Sequence, residues 1–105
     1  MATQAAVEIQ LNEAKLIRAG QRGDEQAVEA LFRRYQRPLF QTALRVLGNA
    51  EDAEDALQDG LLSAYRNLKR FEGRSQFSTW LTRIVINAAL MRKPPRGKKG
   101  DVPVH

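Results

Sequence analysis

Trp80 and Asn87 lie seven residues apart, in a stretch that also carries Arg74, Arg83, Arg92 and Lys93. On a helix that spacing is close to two turns, so the indole and the carboxamide face the same way, with Met91 on the same flank. An aromatic ring, an amide and nearby cations suit a nucleic acid. The cations hold phosphates, the ring stacks on or wedges between bases, and the amide bonds a base edge. A lone tryptophan near a helix start more often packs into a core, so spacing leaves both roles open. Just upstream, Gly73, Arg74, Ser75 and Gln76 sit between two phenylalanines, Phe71 and Phe77. Such a loop can pocket an extruded base, or it can be a plain connection anchored by its two rings. The residues by themselves favour the plain connection.

A second cluster is acidic. Residues 49–59 hold five acids and no base. Carboxylates in a first helical turn face the positive end of the helix dipole favourably. On a helical turn neighbouring side chains diverge, which argues against a hard-cation site. At about 100° per residue, Asp52, Asp55, Asp59 and Leu62 fall opposite the apolar stripe of their helix. An acidic face carrying a leucine fits a basic partner helix, and it equally fits a solvated surface.

Composition narrows the classes. There is no cysteine, and the one histidine is His105, so thiolate and histidine metal sites are excluded. No Gly-rich phosphate loop and no Gly-x-Ser-x-Gly elbow occurs. No enzyme, metal or cofactor is expected. Residues 1–48 balance to +2, residues 49–59 to −5 and residues 60–105 to +8. A basic half beside an acidic block suits two partners of opposite character, one of them a polyanion. No apolar run approaches the roughly 20 residues that span a bilayer, and the first residues lack a signal-peptide pattern. A cytoplasmic location without membrane insertion fits these features.

The elements that must position these groups read as helices. No sustained alternation or hairpin signal competes, so the fold class is all-α, a compact bundle of about four helices. Residues 1–10 read as a tail, 11–93 as one helical domain and 94–105 as a flexible basic linker. The first helix is predicted over about Leu11 to Ala19. The second starts after an Asp24 cap and runs to about Leu47, bent near Tyr35–Arg37 by Pro38. The third is capped by Asn49 with Asp52 in a box-like position, and turns Ala53, Leu57, Leu61, Ala64, Tyr65 and Leu68 inward. The fourth is capped by Ser75 or Ser78, points Phe77, Leu81, Ile84, Val85 and Ala88 inward, and stops at Pro94-Pro95.

Four stretches, in order, resemble a known family: LIRAGQRGD at 16–24, AVEALFRRY at 27–35, LRVLGNAEDAEDALQD at 44–59 and FEGRSQFSTWLTRI at 71–84. From about Lys15 to Leu90 the chain is similar to the first conserved domain, region 2, of extracytoplasmic-function (ECF) bacterial sigma factors. The resemblance implies a domain that docks on core RNA polymerase and recognises and melts the minus-ten promoter element. It implies that Asp52, Asp55, Gln58 and Asp59, with the neighbouring Leu62, meet the clamp helices of the largest polymerase subunit. It implies that the loop Phe71 to Gln76 captures a flipped base of the non-template strand. Trp80 and Asn87 then act at the melting point, and Arg83, Arg92 and Lys93 complete the DNA surface. An anti-sigma factor is a further possible partner.

The chain departs from the family in three ways. Gly60 stands where a β-branched or larger residue is usual. Pro94-Pro95 cuts short a helix end that often continues in arginines. The second family domain, a helix-turn-helix reading the minus-thirty-five element, is absent, so the chain is expected to be a fragment ending in its linker. The alternative reading is a helical protein-interaction module, such as an anti-sigma-binding domain, with no direct DNA role.

Overall fold

The computed structural model describes residues 4–93, with side chains from residue 12 onward. The expected linker, 94–105, lies outside the described residues. Within them the chain forms α1 (Gln4–Gln21), α2 (Glu25–Arg33), α3 (Gln36–Leu47), α4 (Ala50–Asn67), a 3-10 turn (Leu68–Arg70) and α5 (Phe77–Arg92). The all-helical expectation holds, with five helices where about four were expected. The first helix begins at Gln4, ahead of the expected Leu11, so 4–10 are helical and not a tail.

Local chemistry accounts for most boundaries. The Asp24 carboxylate accepts from the Ala27 N–H at 3.2 Å, satisfying one orphan donor at the start of α2. The extra helix comes from Pro38, the third residue of α3. Proline has no N–H to donate to the Arg34 carbonyl, so the regular ladder is interrupted there. The chain tightens instead, the Arg34 and Tyr35 N–H groups donating to the Leu31 and Phe32 carbonyls at 3.3 and 2.9 Å. Helix resumes with the Leu39 N–H on the Tyr35 carbonyl at 3.0 Å. The expected bend is a break. Gly48, at φ +83°, closes α3 in the left-handed conformation and donates to Leu44.

The Asn49 cap forms as expected. Its side-chain oxygen accepts from the Asp52 N–H at 2.8 Å, and its amide donates to the Asp52 carboxylate at 2.7 Å. Neither Ser75 nor Ser78 caps α5. Gln76 occupies that position without a side-chain bond, its carbonyl accepting from the Trp80 N–H at 3.0 Å.

The core is a single cluster. Val28, Leu31 and Phe32 of α2, Leu39 and Ala43 of α3, and Leu68 of the 3-10 turn close around α4 and α5. On α4 the buried positions are Ala53, Ala56, Leu57, Gly60, Leu61 and Ala64. Tyr65, expected inward, is exposed, its hydroxyl 3.4 Å from a Glu25 carboxylate oxygen. On α5 the buried stripe is Phe77, Leu81, Val85 and Ala89, with Ile84 and Ala88 half-buried at its flank. Ala89 therefore takes the place expected for Ala88. No helix among the described residues is long and apolar enough to cross a membrane.

The most extensive packing joins α4 to α5. It is close because of Gly60: a Cβ added there would stand 2.8 Å from Val85 Cγ2 and 2.9 Å from Val85 Cα. The departure at this position is thus a packing device, trading helix propensity for backbone proximity. At the other end of the bundle, the Tyr35 hydroxyl donates to the Glu13 carboxylate and ties α1 to the α2–α3 break.

Two outcomes follow from this packing. Gly60→Ala gains about 1 kcal/mol of helix propensity but overpacks against a backbone atom at a cost of roughly 1–3 kcal/mol. The expected net effect is a loss of about 1 kcal/mol, read as a lower midpoint in urea unfolding; a more stable variant would show that the helices part freely. The Tyr35 hydroxyl is pushed up from 10.0 to about 12, first by burial and then by its bond to Glu13. Its contribution to stability is therefore complete below pH 10 and lost as pH rises through about 12. Tyr35→Phe is expected to remove that part of the alkaline unfolding transition.

Candidate nucleic-acid interface

Helix α5 positions the aromatic group. Trp80 lies one turn after the buried Phe77 and one residue before the fully buried Leu81, so its ring emerges at the edge of the core. It is half-buried. Its centroid is 5.2 Å from that of Phe71 and 5.5 Å from that of Phe77, and Phe71 meets Phe77 edge-on at 5.4 Å. Tyr35 extends the row at 5.9 Å from Phe77. Tilted and edge-on pairs of this kind contribute about 0.5–1.5 kcal/mol each beyond area burial, so the cluster holds the indole in one orientation. Packing and presentation are both served by Trp80: one side rests on two phenylalanines and the other reaches solvent.

The loop from Phe71 to Gln76 crosses beside this ring. Gly73 takes φ +79°, a left-handed conformation that L side chains rarely adopt. Arg74 is exposed and pairs with Glu72 at 3.2 Å. Together with Trp80 and Arg83, the loop residues Phe71, Arg74 and Ser75 line a concavity of about 350 Å³. Arg70, which the sequence reading did not single out, lines it as well. It follows Lys69 in the 3-10 turn, and only the tertiary course of that turn brings it to the ring. Gln76 is exposed, at the entrance to α5.

Two turns further along α5, Asn87 is exposed, and Ile84 lies between it and Trp80 in sequence. Asn87, Met91, Ile84 and Arg92 line a second concavity, about 390 Å³, whose opposite wall is Asp59 and Ser63 of α4. Met91 is 85% exposed. Lys93 is exposed past the end of α5.

Arg92 behaves differently from the expectation of a free phosphate ligand. Its guanidinium donates twice to one Asp59 carboxylate oxygen, at 2.9 and 2.7 Å, and lies 3.9 Å from Asp55. The bond to Asp59 holds its protonation even more firmly than usual. The structure thus joins a residue expected on DNA to two residues expected on a protein partner. The acidic face itself is as the wheel placed it: Asp52, Asp55, Gln58, Asp59 and Leu62 are all exposed on α4. Gln58 is held by Glu54 at 2.9 Å, and Asp52 serves the Asn49 cap.

Beside that face, α2 and α4 enclose a groove of about 470 Å³, with Val28, Phe32, Leu62 and Tyr65 along its apolar side and Glu25 and Glu29 at its rim. Tyr65 belongs to this surface and not to the core. The sequence signal was present but weak, since its hydroxyl needs either water or a partner.

Comparison with known proteins agrees with this geometry. The sigma-70 region 2 family matches residues 31–93. The ECF RNA polymerase sigma factor SigM of Mycobacterium tuberculosis is 44% identical over 81 residues, 77% of this chain and 41% of that protein. SigW of Bacillus subtilis, another ECF RNA polymerase sigma factor, is 37% identical over 87 residues, 83% of this chain and 46% of that protein. The chain therefore spans less than half the length of these relatives. Among solved structures, an engineered region 2 of sigmaE in complex with GTAAAA superposes with a TM-score of 0.71 at 34% identity, covering 75% of this chain and 82% of that one. This chain belongs to the sigma-70 region 2 family, as the region 2 domain of an ECF sigma factor.

Proposed function

We propose that this domain docks on core RNA polymerase and recognises and melts the minus-ten promoter element, holding its non-template strand on α5 and the adjoining loop. The observation that carries the reading is the half-exposed Trp80 ring beside a concavity lined by Arg70, Arg74, Arg83 and Glu72, with the exposed Asn87 amide two turns further along α5. The solved complex of a sigmaE region 2 with GTAAAA supports it by likeness.

The mechanism requires no covalent chemistry and no enzyme. Separating a duplex step costs a few kcal/mol of stacking. An aromatic ring that takes a base on its open side returns about 1–3 kcal/mol. The loop concavity accepts an extruded base, while the cations hold the displaced backbone. Because Phe71 and Phe77 already orient the indole, little ordering remains to be done when a base arrives. The domain thereby shifts an opening equilibrium that polymerase completes.

Asp55, Gln58, Asp59 and Leu62, exposed along α4, form the docking face for the clamp helices; this face borders the concavity that Asp59 shares with Asn87, and the acid-rimmed groove with Tyr65 extends it. A basic amphipathic helix matches an apolar groove with a carboxylate rim. Docking competes with Arg92 for Asp59, and a displaced Arg92 becomes free for a phosphate.

Trp80→Ala and Asn87→Ala are each expected to reduce open-promoter formation by roughly tenfold or more, with folding intact. Permanganate reactivity of unpaired thymines on core polymerase reads this, and unaltered melting would overturn the assignment. Asp55→Arg combined with Asp59→Arg is expected to weaken binding to core polymerase by about tenfold or more. Measured affinity for the clamp helices that stays unchanged would remove the docking face from α4.

A further inference from the structure

Gln21 ends α1, far in sequence from the DNA-facing loop. Its side-chain amide nevertheless donates two hydrogen bonds, to the Leu68 carbonyl at 3.0 Å and to the Phe71 carbonyl at 2.9 Å, 47 and 50 residues away. The bonds bracket one structural unit. The Phe71 N–H donates to the Leu68 carbonyl at 3.0 Å, so these two residues are the first and last of the turn that leads out of α4. Leu68 is fully buried beneath it, and Phe71 is the residue at which the chain leaves that turn in an extended conformation.

The amide reaches this point because α1 sits tightly on the turn. A Cβ on the adjacent Gly20 would stand 2.9 Å from Leu68 Cδ2 and 2.8 Å from Val28 Cγ2. Backbone carbonyls at the end of a turn lack a regular partner, and one left unpaired near the core is destabilising. Here the amide satisfies the Phe71 carbonyl and adds a second donor to the Leu68 carbonyl, which already accepts from the Phe71 N–H, and in doing so fixes the direction in which Phe71 departs. That direction sets two features of the interface at once. The Phe71 ring lies against Trp80, and the Phe71 backbone begins the loop that lines the concavity.

We infer that Gln21 is a positioning residue of the DNA interface: its amide clamps the Leu68–Phe71 turn and so holds both the base-capturing loop and the Trp80 ring in register. It acts through Phe71. The inference rests on the proposed function for its DNA consequence, while its structural part stands without it.

The test compares Gln21→Met, which has similar length and no donor, with Gln21→Lys, which restores a donor, in the free chain and on core polymerase. In the free chain, Gln21→Met is expected to raise amide hydrogen exchange at Phe71, whose N–H is bonded to the Leu68 carbonyl, by about tenfold, leaving the α4 and α5 cores protected, and to shift Trp80 emission. Gln21→Lys is expected to restore much of that protection. On core polymerase, Gln21→Met is expected to reduce about tenfold the preference for a promoter strand carrying the captured base over one abasic at that position, with the salt dependence of binding unchanged. Exchange and emission identical to the unsubstituted chain would overturn the clamp. Normal base preference despite a loosened loop would overturn its role at the interface. Loss of protection throughout the helices would reduce Gln21 to a stability residue. If the unsubstituted factor shows no such preference, the proposed function fails while the exchange result still decides the clamp.

Discussion

The near-contact of two helix backbones at Gly60 and Val85 governs this domain. With no side chain on α4 at that point, α5 approaches until a methyl group would no longer fit. Everything with chemistry is then carried on a rigid two-helix unit. Trp80 and Asn87 stand on α5 and the acids on α4, with Asp59 and Asn87 on the walls of one concavity. A spacing wider by one side chain would move Arg92 away from Asp59 and open the concavity that Asn87 shares with Ser63. Close-packed interiors transmit such displacements instead of absorbing them.

The second organising feature is the aromatic row Tyr35, Phe77, Phe71 and Trp80. It begins at the break between α2 and α3, runs over the start of α5 and ends at solvent. A protein that must trade base–base stacking for base–protein stacking benefits from a ring already fixed in place. The phenylalanines supply that fixity with dispersion and edge-on contacts, which salt does not screen. The phosphate contacts proposed for the exposed cations are electrostatic, so affinity and orientation answer to different conditions.

Electrostatics also connect the two faces. Arg92 is the one described residue that bonds across from α5 to the acidic surface of α4. In this conformation part of the negative face is internally matched, which softens the −5 block read along the chain. An exposed ion pair of this kind has modest worth as a stabiliser. Its interest lies in position, since a partner for the acids and a partner for Arg92 both have to break it.

The sequence by itself determined the helical class, the caps at Asp24 and Asn49, the glycine stop at Gly48, the outward acidic face and the shared face of Trp80 and Asn87. Each depends on residues within a turn or two of one another, where propensity, capping and 3.6-residue periodicity act directly. The family was legible for the same reason, because its motifs are contiguous. Tertiary structure alone decided the rest. At the break that Pro38 makes, Tyr35 finds an aromatic and a carboxylate partner, and Tyr65 lies outward beside Glu25 and a groove. Arg92 is claimed by acids 33 and 37 residues away, Gln21 by carbonyls about 50 residues away, and the tight fit at Gly60 exists only once Val85 is opposite. Contacts between distant segments depend on how the helices cross, and no local pattern of residues encodes that crossing.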